Sequence, residues 1–167
     1  MKGLFYFPLI LIGILALALF FIRFFSARHL DDVTPGIPCN ENLLIKADVY
    51  FIIPNFEGND ISKNETWVKK IILFNKTLAL HGVTHEYEEF LTYRNEEYLQ
   101  EGLNIFEQAF GFFPKRFKPP QLAISANNIR LISNAGMKID YGWKIIFHKV
   151  YHCNDTGIIP NWLVNLV

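Results

Sequence analysis

The sequence predicts an α/β domain on a mainly parallel sheet, an incomplete or distorted (β/α) barrel, behind one N-terminal transmembrane helix. Three observations predict it: an uncharged apolar run at the start, strand-like and helix-like segments that alternate after it, and a length of 167 residues that holds one core but hardly two. The 16 basic and 16 acidic residues balance and are interspersed, so the chain lacks the basic excess or stripe of a nucleic-acid-binding domain.

From Leu4 to Ile22, LFYFPLILIGILALALFFI, no side chain is charged. At ~1.5 Å per residue the run nearly crosses a hydrocarbon core of roughly 30 Å. Residues 1–27 are accordingly assigned to a single-pass signal anchor and residues 28–167 to the folded domain, which is expected outside the cytoplasm. A cleavable signal peptide is the alternative, but the run is longer than the usual ~7–15-residue h-region and no clean small-x-small site follows it. Lys2 before the run and Arg23 and Arg28 after it leave the orientation open. Cys39 and Cys153 permit one disulfide without requiring it. Sequons at Asn64, Asn75 and Asn154 suit an exported domain, although an asparagine-rich chain also forms such triplets by chance.

Lys46–Ile53, β-branched and aromatic and stopped by Pro54-Asn55, reads as a buried strand. Ser62 and Glu65 stand in the relation of a capping box, and Trp67, Val68, Ile71, Ile72 and Phe74 then recur at helical spacing. Thr77–Leu80 returns to a strand that delivers His81. A longer helix starts near Asn95 with Glu96 and Glu97 at its positive end; Leu99, Leu103, Phe106 and Phe110 form its stripe, and Gly111 and Pro114 stop it. An extended piece at Arg116–Pro119, a helix from Ser125 to Ala135 closed by Gly136, and a strand pair around Lys138–His148 complete the reading, with about six strands at most. In βα folds the chemistry gathers at the carboxyl ends of the strands, where His81 falls.

Two patterns point to chemistry there. His81 and His85, four apart with Gly82 between them, can share a metal ion, although a surface pair without a ligand is equally common. The adjacent carboxylates of Asp31 and Asp32 in HLDDVTPG repel each other unless a cation or a proton neutralises one; the plainer alternative is a solvated turn. HKVYHC, His148 to Cys153, repeats the histidine spacing and adds a thiol; a second metal site and a missing proton donor are open readings, and strand alternation, which leaves both imidazoles on one face with no ligand required, is preferred. Glu86, Glu88 and Glu89 read as solvated loop acids.

Together the motifs LDDV (Leu30–Val33), HGVTH (His81–His85) and FKPP (Phe117–Pro120), in this order, resemble the polysaccharide deacetylase (NodB-homology) superfamily of carbohydrate esterases, and more closely its branch with DDV in the first motif. The resemblance spans roughly residues 28–140 and is most specific at LALHGVTHEYEEF. It implies a barrel of the polysaccharide deacetylase type, Asp31 as general base, Asp32, His81 and His85 as ligands of a divalent metal, Zn2+ before others, and the backbone N–H of Gln121 as oxyanion donor. The implied substrate is an N-acetylated glycan near the bilayer.

The chain departs from the family pattern in three places. Lys118 stands where arginine is common, so the tuning of Asp31 falls to Lys118 or to Arg116. The fourth motif is echoed only by DYGW, Asp140–Trp143, which core aromatic packing also explains, and the fifth, with its acid histidine, is not found. Residues 28–167 fall short of the ~200 or more of a closed barrel, and the apolar IIPNWLVNLV ends without a polar cap. The expectation is a domain lacking its C-terminal strands, with room for a partner chain to complete the sheet. A catalytically inactive, membrane-anchored glycan- or metal-binding module is the alternative function.

Overall fold

The computed structural model describes residues 6–166. Lys2, with Leu4 and Phe5 of the apolar run and the terminal Val167, lies outside the described residues.

Helix α1, Tyr6–Phe25, covers the apolar run from Tyr6 onward and carries Arg23 in its last turn. Its Pro8–Phe25 window is long and apolar enough to cross a membrane, with none of it buried against the domain. Strand β1 (His29–Val33) follows, then α2 (Glu41–Lys46), β2 (Val49–Ile52), a two-stranded ribbon of β3 (Asn55–Phe56) and β4 (Asn59–Asp60), α3 (Glu65–Leu73) and β5 (Thr77–Leu80). After a long loop come α4 (Glu96–Phe110), β6 (Arg116–Phe117), α5 (Ala126–Asn134), β7 (Lys138–Ile139), β8 (Val150–His152) and α6 (Asn161–Leu166). The main sheet has six strands in the order β7-β6-β5-β2-β1-β8, every pair parallel.

Strand alternation divides this sheet into two chemically different faces. Leu30, Tyr50, Ile52, Leu78, Leu80, Phe117 and Tyr151 pack into the large apolar cluster shared with the helices. The residues between them, His29, Asp31, Val49, Phe51, Ala79, His81 and Lys118, face the other way, as the inner wall of a barrel would. Phe51 is the floor of that face: Lys118 Nζ lies 4.8 Å from its ring, and His29 and His81 lie 5.0 and 6.2 Å from it.

Several elements follow the expected signals. Asn95 caps α4 by accepting from Tyr98 N, Glu96 and Glu97 occupy its first turn, and Gly111 at φ 80° closes it. Ser125 caps α5 in the same way, and Gly136 ends it at φ 78°.

Others are corrected. Ser62 is not the cap of α3: it sits in a 3-10 turn, Ile61–Lys63, and Asn64 accepts from Trp67 N instead. Lys46 belongs to α2 rather than to the strand beginning at Val49; Asn40, accepting from Asn42 N, starts that helix. Of the strand pair around Lys138–His148 only β7 is extended there. Gly142–Phe147 forms 3-10 turns, and the next strand is Val150–His152, because β1 offers its free edge only at that register. The edge beside β1 is thus filled by the chain's own β8.

Cys39, in the loop after β1, is joined to Cys153 just past β8, closing 114 residues of chain. Because this bridge ties the C-terminal strand to the first one, replacing both cysteines by alanine is expected to cost about 2–4 kcal/mol, from the entropy returned to the unfolded chain. A lowered midpoint in urea unfolding, with a slope that rises as the unfolded chain expands, checks it.

Candidate active site

The parallel sheet delivers a cluster of ionisable side chains to its carboxyl end. A regular strand would send Asp31 and Asp32 to opposite faces. The pairing of β1 with β2 shifts register between Leu30 and Val33, and Asp32 adopts φ 63°, the left-handed region, so that both carboxylates are buried at one end of the sheet. His81 follows directly on β5, Lys118 on β6, and His152 ends β8.

Asp32, His81 and His85 bring one ligand atom each within 4.8 Å of one another, the one such His, Cys, Asp or Glu grouping among the described residues. Asp32 Oδ1 lies 3.0 Å from His85 Nε2 and 3.4 Å from His81 Nε2. Two imidazole nitrogens and a carboxylate oxygen form the donor set of an open zinc-type site. The ring orientation fits as well: His81 Nδ1 is 2.9 Å from the Lys118 carbonyl, which only accepts, so Nδ1 carries a proton and Nε2 is the nitrogen turned to the cluster. The other Asp32 oxygen accepts from Thr156 Oγ1 at 2.7 Å and His152 Nδ1 at 3.1 Å, which leaves Oδ1 for the histidine pair. Burial alone would raise the Asp32 carboxyl; hydrogen bonds from His152, His81 and His85 hold it far below the usual carboxylate range.

Asp31, beside it, is paired differently. Lys118 Nζ lies 2.7 Å from its Oδ2 and 2.9 Å from its Oδ1, and both side chains are almost fully buried. Burial pulls the Asp31 carboxyl up, but the charges of Lys118, His81 and His152 and the Lys118 hydrogen bond bring it below its ordinary value. Arg116 does not share this task. Its Nε donates to Asp140 Oδ2 at 2.7 Å, and its Nη2 reaches His29 Nε2 at 3.2 Å. His29, stacked on His148 with ring centroids 4.3 Å apart, is pushed down to about 2 by burial and then by the Lys118 charge, so it stays neutral. Asp140 of DYGW therefore anchors Arg116, while Trp143 of the same motif is exposed rather than packed in the core.

The loop carrying the histidines is organised by Glu89, which corrects its reading as a solvated acid. It is fully buried. Its Oε1 accepts from Val83 N at 2.7 Å, Thr84 N at 3.2 Å and Tyr98 Oη at 2.7 Å, and its Oε2 from His85 N at 2.9 Å. Gly82, at φ 69°, passes so close that a Cβ there would collide with the Glu89 carboxylate and with Pro120, and His85 itself sits at φ 64°. Glu86 is exposed as expected, and Glu88 is half-buried. His152 is the second residue that the sequence under-reads: alternation placed it on one face with His148, and that face turns out to be the one holding Asp32. A second metal site in HKVYHC is not formed, since the sulfur of Cys153 is committed to Cys39.

A cavity of about 520 Å³ opens over the cluster, reached by Asp31, Asp32, His81, His85, Lys118 and His152. Gln121 is also on its wall, at φ 50° in the turn after Pro120, its side-chain oxygen accepting from Glu88 N.

No family model matches the chain, and no curated protein does. Solved structures do match its fold. A peptidoglycan N-acetylglucosamine deacetylase, Bc1960, superposes with a TM-score of 0.53 at 18% identity, over 68% of this chain and 54% of its own. The chitin deacetylase of the fungal pathogen Colletotrichum lindemuthianum gives 0.51 at 16% identity, over 68% and 53%. BA3943 of Bacillus anthracis, a CE4 family pseudoenzyme, gives 0.50 at 13% identity, over 77% and 55%. The fold is that of the CE4 polysaccharide deacetylases and their pseudoenzymes, the superfamily that the three motifs resemble. The chain spans about half the length of these structures.

Proposed function

We propose that this chain is a membrane-anchored, metal-dependent hydrolase that removes N-acetyl groups from an amino-sugar glycan at the membrane surface. The observation that carries the reading is the buried Asp31–Lys118 pair beside the Asp32, His81 and His85 triad, all on one cavity. Asp32, His81 and His85 would hold the ion, Zn2+ by the donor set. When bound, such an ion supplies Lewis acidity to the acetyl carbonyl and to a water molecule.

The chain's own groups do the rest. Asp31, ionised and with no backbone partner among the described residues, takes the proton that the attacking water loses as its oxygen bonds to the carbonyl carbon. Lys118 fixes that carboxylate in place. Gln121, on the cavity wall, would offer its backbone N–H to the negative charge that develops on the carbonyl oxygen. His152, across Asp32 from the histidine pair, is placed to hand a proton to the sugar nitrogen as the C–N bond breaks, which leaves acetate and a free amine. The Cys39–Cys153 disulfide supports a domain outside the cytoplasm, as do the sequon asparagines Asn64, Asn75 and Asn154, all exposed.

The test is acetate release from N-acetylglucosamine oligomers by the full chain in neutral detergent, with metal content measured on the same samples. Asp31→Asn is expected to lower turnover by about 1,000-fold or more while retaining the ion, and His81→Ala to lose the ion itself. A second reading, an inactive glycan- or metal-binding module, is favoured by the pseudoenzymes that share the fold. Stoichiometric metal without acetate release would select it.

A further inference from the structure

The cavity has a second chemical character that hydrolysis does not use. Besides the ionisable cluster, its wall carries the aliphatic side chains of Leu122, Ile145, Ile146, Ile158 and Ile159. Sugar hydroxyls need hydrogen-bond partners that such side chains lack. Arg23, in the last turn of α1, reaches into the same cavity. Its Nη1 donates to the Ile146 carbonyl at 2.9 Å, while its Nε is buried with no partner among the described residues. Arg23 as a whole is only half-buried, and the outer N–H groups it brings to the cavity offer a planar fork that matches a phosphate.

The rim continues the surface of the apolar helix. Phe21, Phe24 and Phe25 of α1 are exposed, and so are Ile146, Ile158 and the indoles of Trp143 and Trp162 at and near the mouth; Ile158 is as exposed as in an open chain, at 103%. Exposed aliphatic and indole groups joined to a membrane-spanning helix are the composition of a surface seated at the bilayer interface. Because Arg23 ties that helix to the 3-10 turns Gly142–Phe147, the mouth is held at the level where the helix leaves the bilayer.

We propose that the cavity takes its amino sugar attached through a phosphate to a membrane lipid: the lipid lies along the isoleucine wall, Arg23 binds the phosphate, and the N-acetyl group reaches Asp31 and the triad. The proposal rests on the deacetylase reading for the sugar and commits to the bilayer as the occupant of the apolar rim.

Binding to the metal-loaded full chain in non-ionic detergent tests it, with three probes: N-acetylglucosamine linked through a phosphodiester to a farnesyl chain, the sugar 1-phosphate without the lipid, and the farnesyl glycoside without the phosphate. The complete probe is expected to bind at least about 10-fold tighter than either part. Arg23→Gln should bring it to within about threefold of the phosphate-free glycoside, and Ile158→Glu, at a position too exposed to affect folding, should weaken both lipid probes but not the sugar phosphate. Equal affinity for the sugar phosphate with and without lipid, an unchanged preference in Arg23→Gln, or tighter binding of a soluble oligosaccharide overturns the proposal. The expected order of binding without acetate release from any probe would instead leave it standing and remove the deacetylase reading.

Discussion

Replacing Glu89 by alanine is expected to destabilise the domain by about 3–5 kcal/mol and to lower its metal affinity by at least about 10-fold, although Glu89 is no ligand. The carboxylate, itself fully buried, serves three consecutive backbone donors, Val83, Thr84 and His85, and the Tyr98 hydroxyl. Without it those N–H groups have no acceptor, and an orphaned buried donor costs about 1–3 kcal/mol. The loop would turn them toward water, and His85, held in the left-handed region by that bond, would leave its position 3.0 Å from Asp32. Glu89→Gln keeps the shape but offers a single oxygen, so it should fall between wild type and Glu89→Ala. Urea unfolding and competition with a chromophoric chelator measure the two effects. A Glu89→Ala protein with wild-type metal affinity would show that the loop holds its shape from its neighbours alone.

The parts of the site that were legible in the sequence lie on short apolar strands. Thr77–Leu80 could be read as a strand because of its composition, and the parallel architecture then put His81 at the working end. The two aspartates were legible as a costly adjacency, though not the backbone kink at Asp32 that turns both inward. Glu89 was not, because three acids in EYEE look alike in one dimension, and the donors that distinguish it are main-chain groups common to every loop. His152 was hidden by distance: its partner Asp32 is 120 residues away, and alternation gives a shared face without saying what that face meets. The same limit applies to Gly142–Phe147, whose apolar content suits a strand but whose neighbours leave it no strand to pair with. Helix α2 was not legible, because its six residues are too few to show a periodic stripe.

Lys118 offers the sharper test of how the buried charges hold each other. Lys118→Met should cost about 3–5 kcal/mol, because it strands a carboxylate in a site with almost no water, and Lys118→Met combined with Asp31→Asn should recover most of that loss. The pH dependence separates this from simple loss of packing. In the wild type Asp31 titrates below its ordinary value, so its pairing contributes in full above the usual carboxylate range and fades as the pH falls through the depressed value. In Lys118→Met the lysine's lowering influence is gone and burial, which acts in the opposite direction, dominates. The carboxyl then titrates above its ordinary value, the unfolded chain holds its proton less tightly than the folded one, and stability rises as the pH drops. Urea unfolding of the chelator-treated full chain, stepped from about pH 7 to about pH 4, should thus narrow the gap between Lys118→Met and wild type, whereas the Asp31→Asn and Lys118→Met double variant should keep a gap that varies less. A gap that stays constant across that range in the single variant would mean that Asp31 keeps its charge in the folded chain without the lysine, held by His81 and His152. Asp31 would then still be a base for the attacking water, but Lys118 would not be what keeps it one.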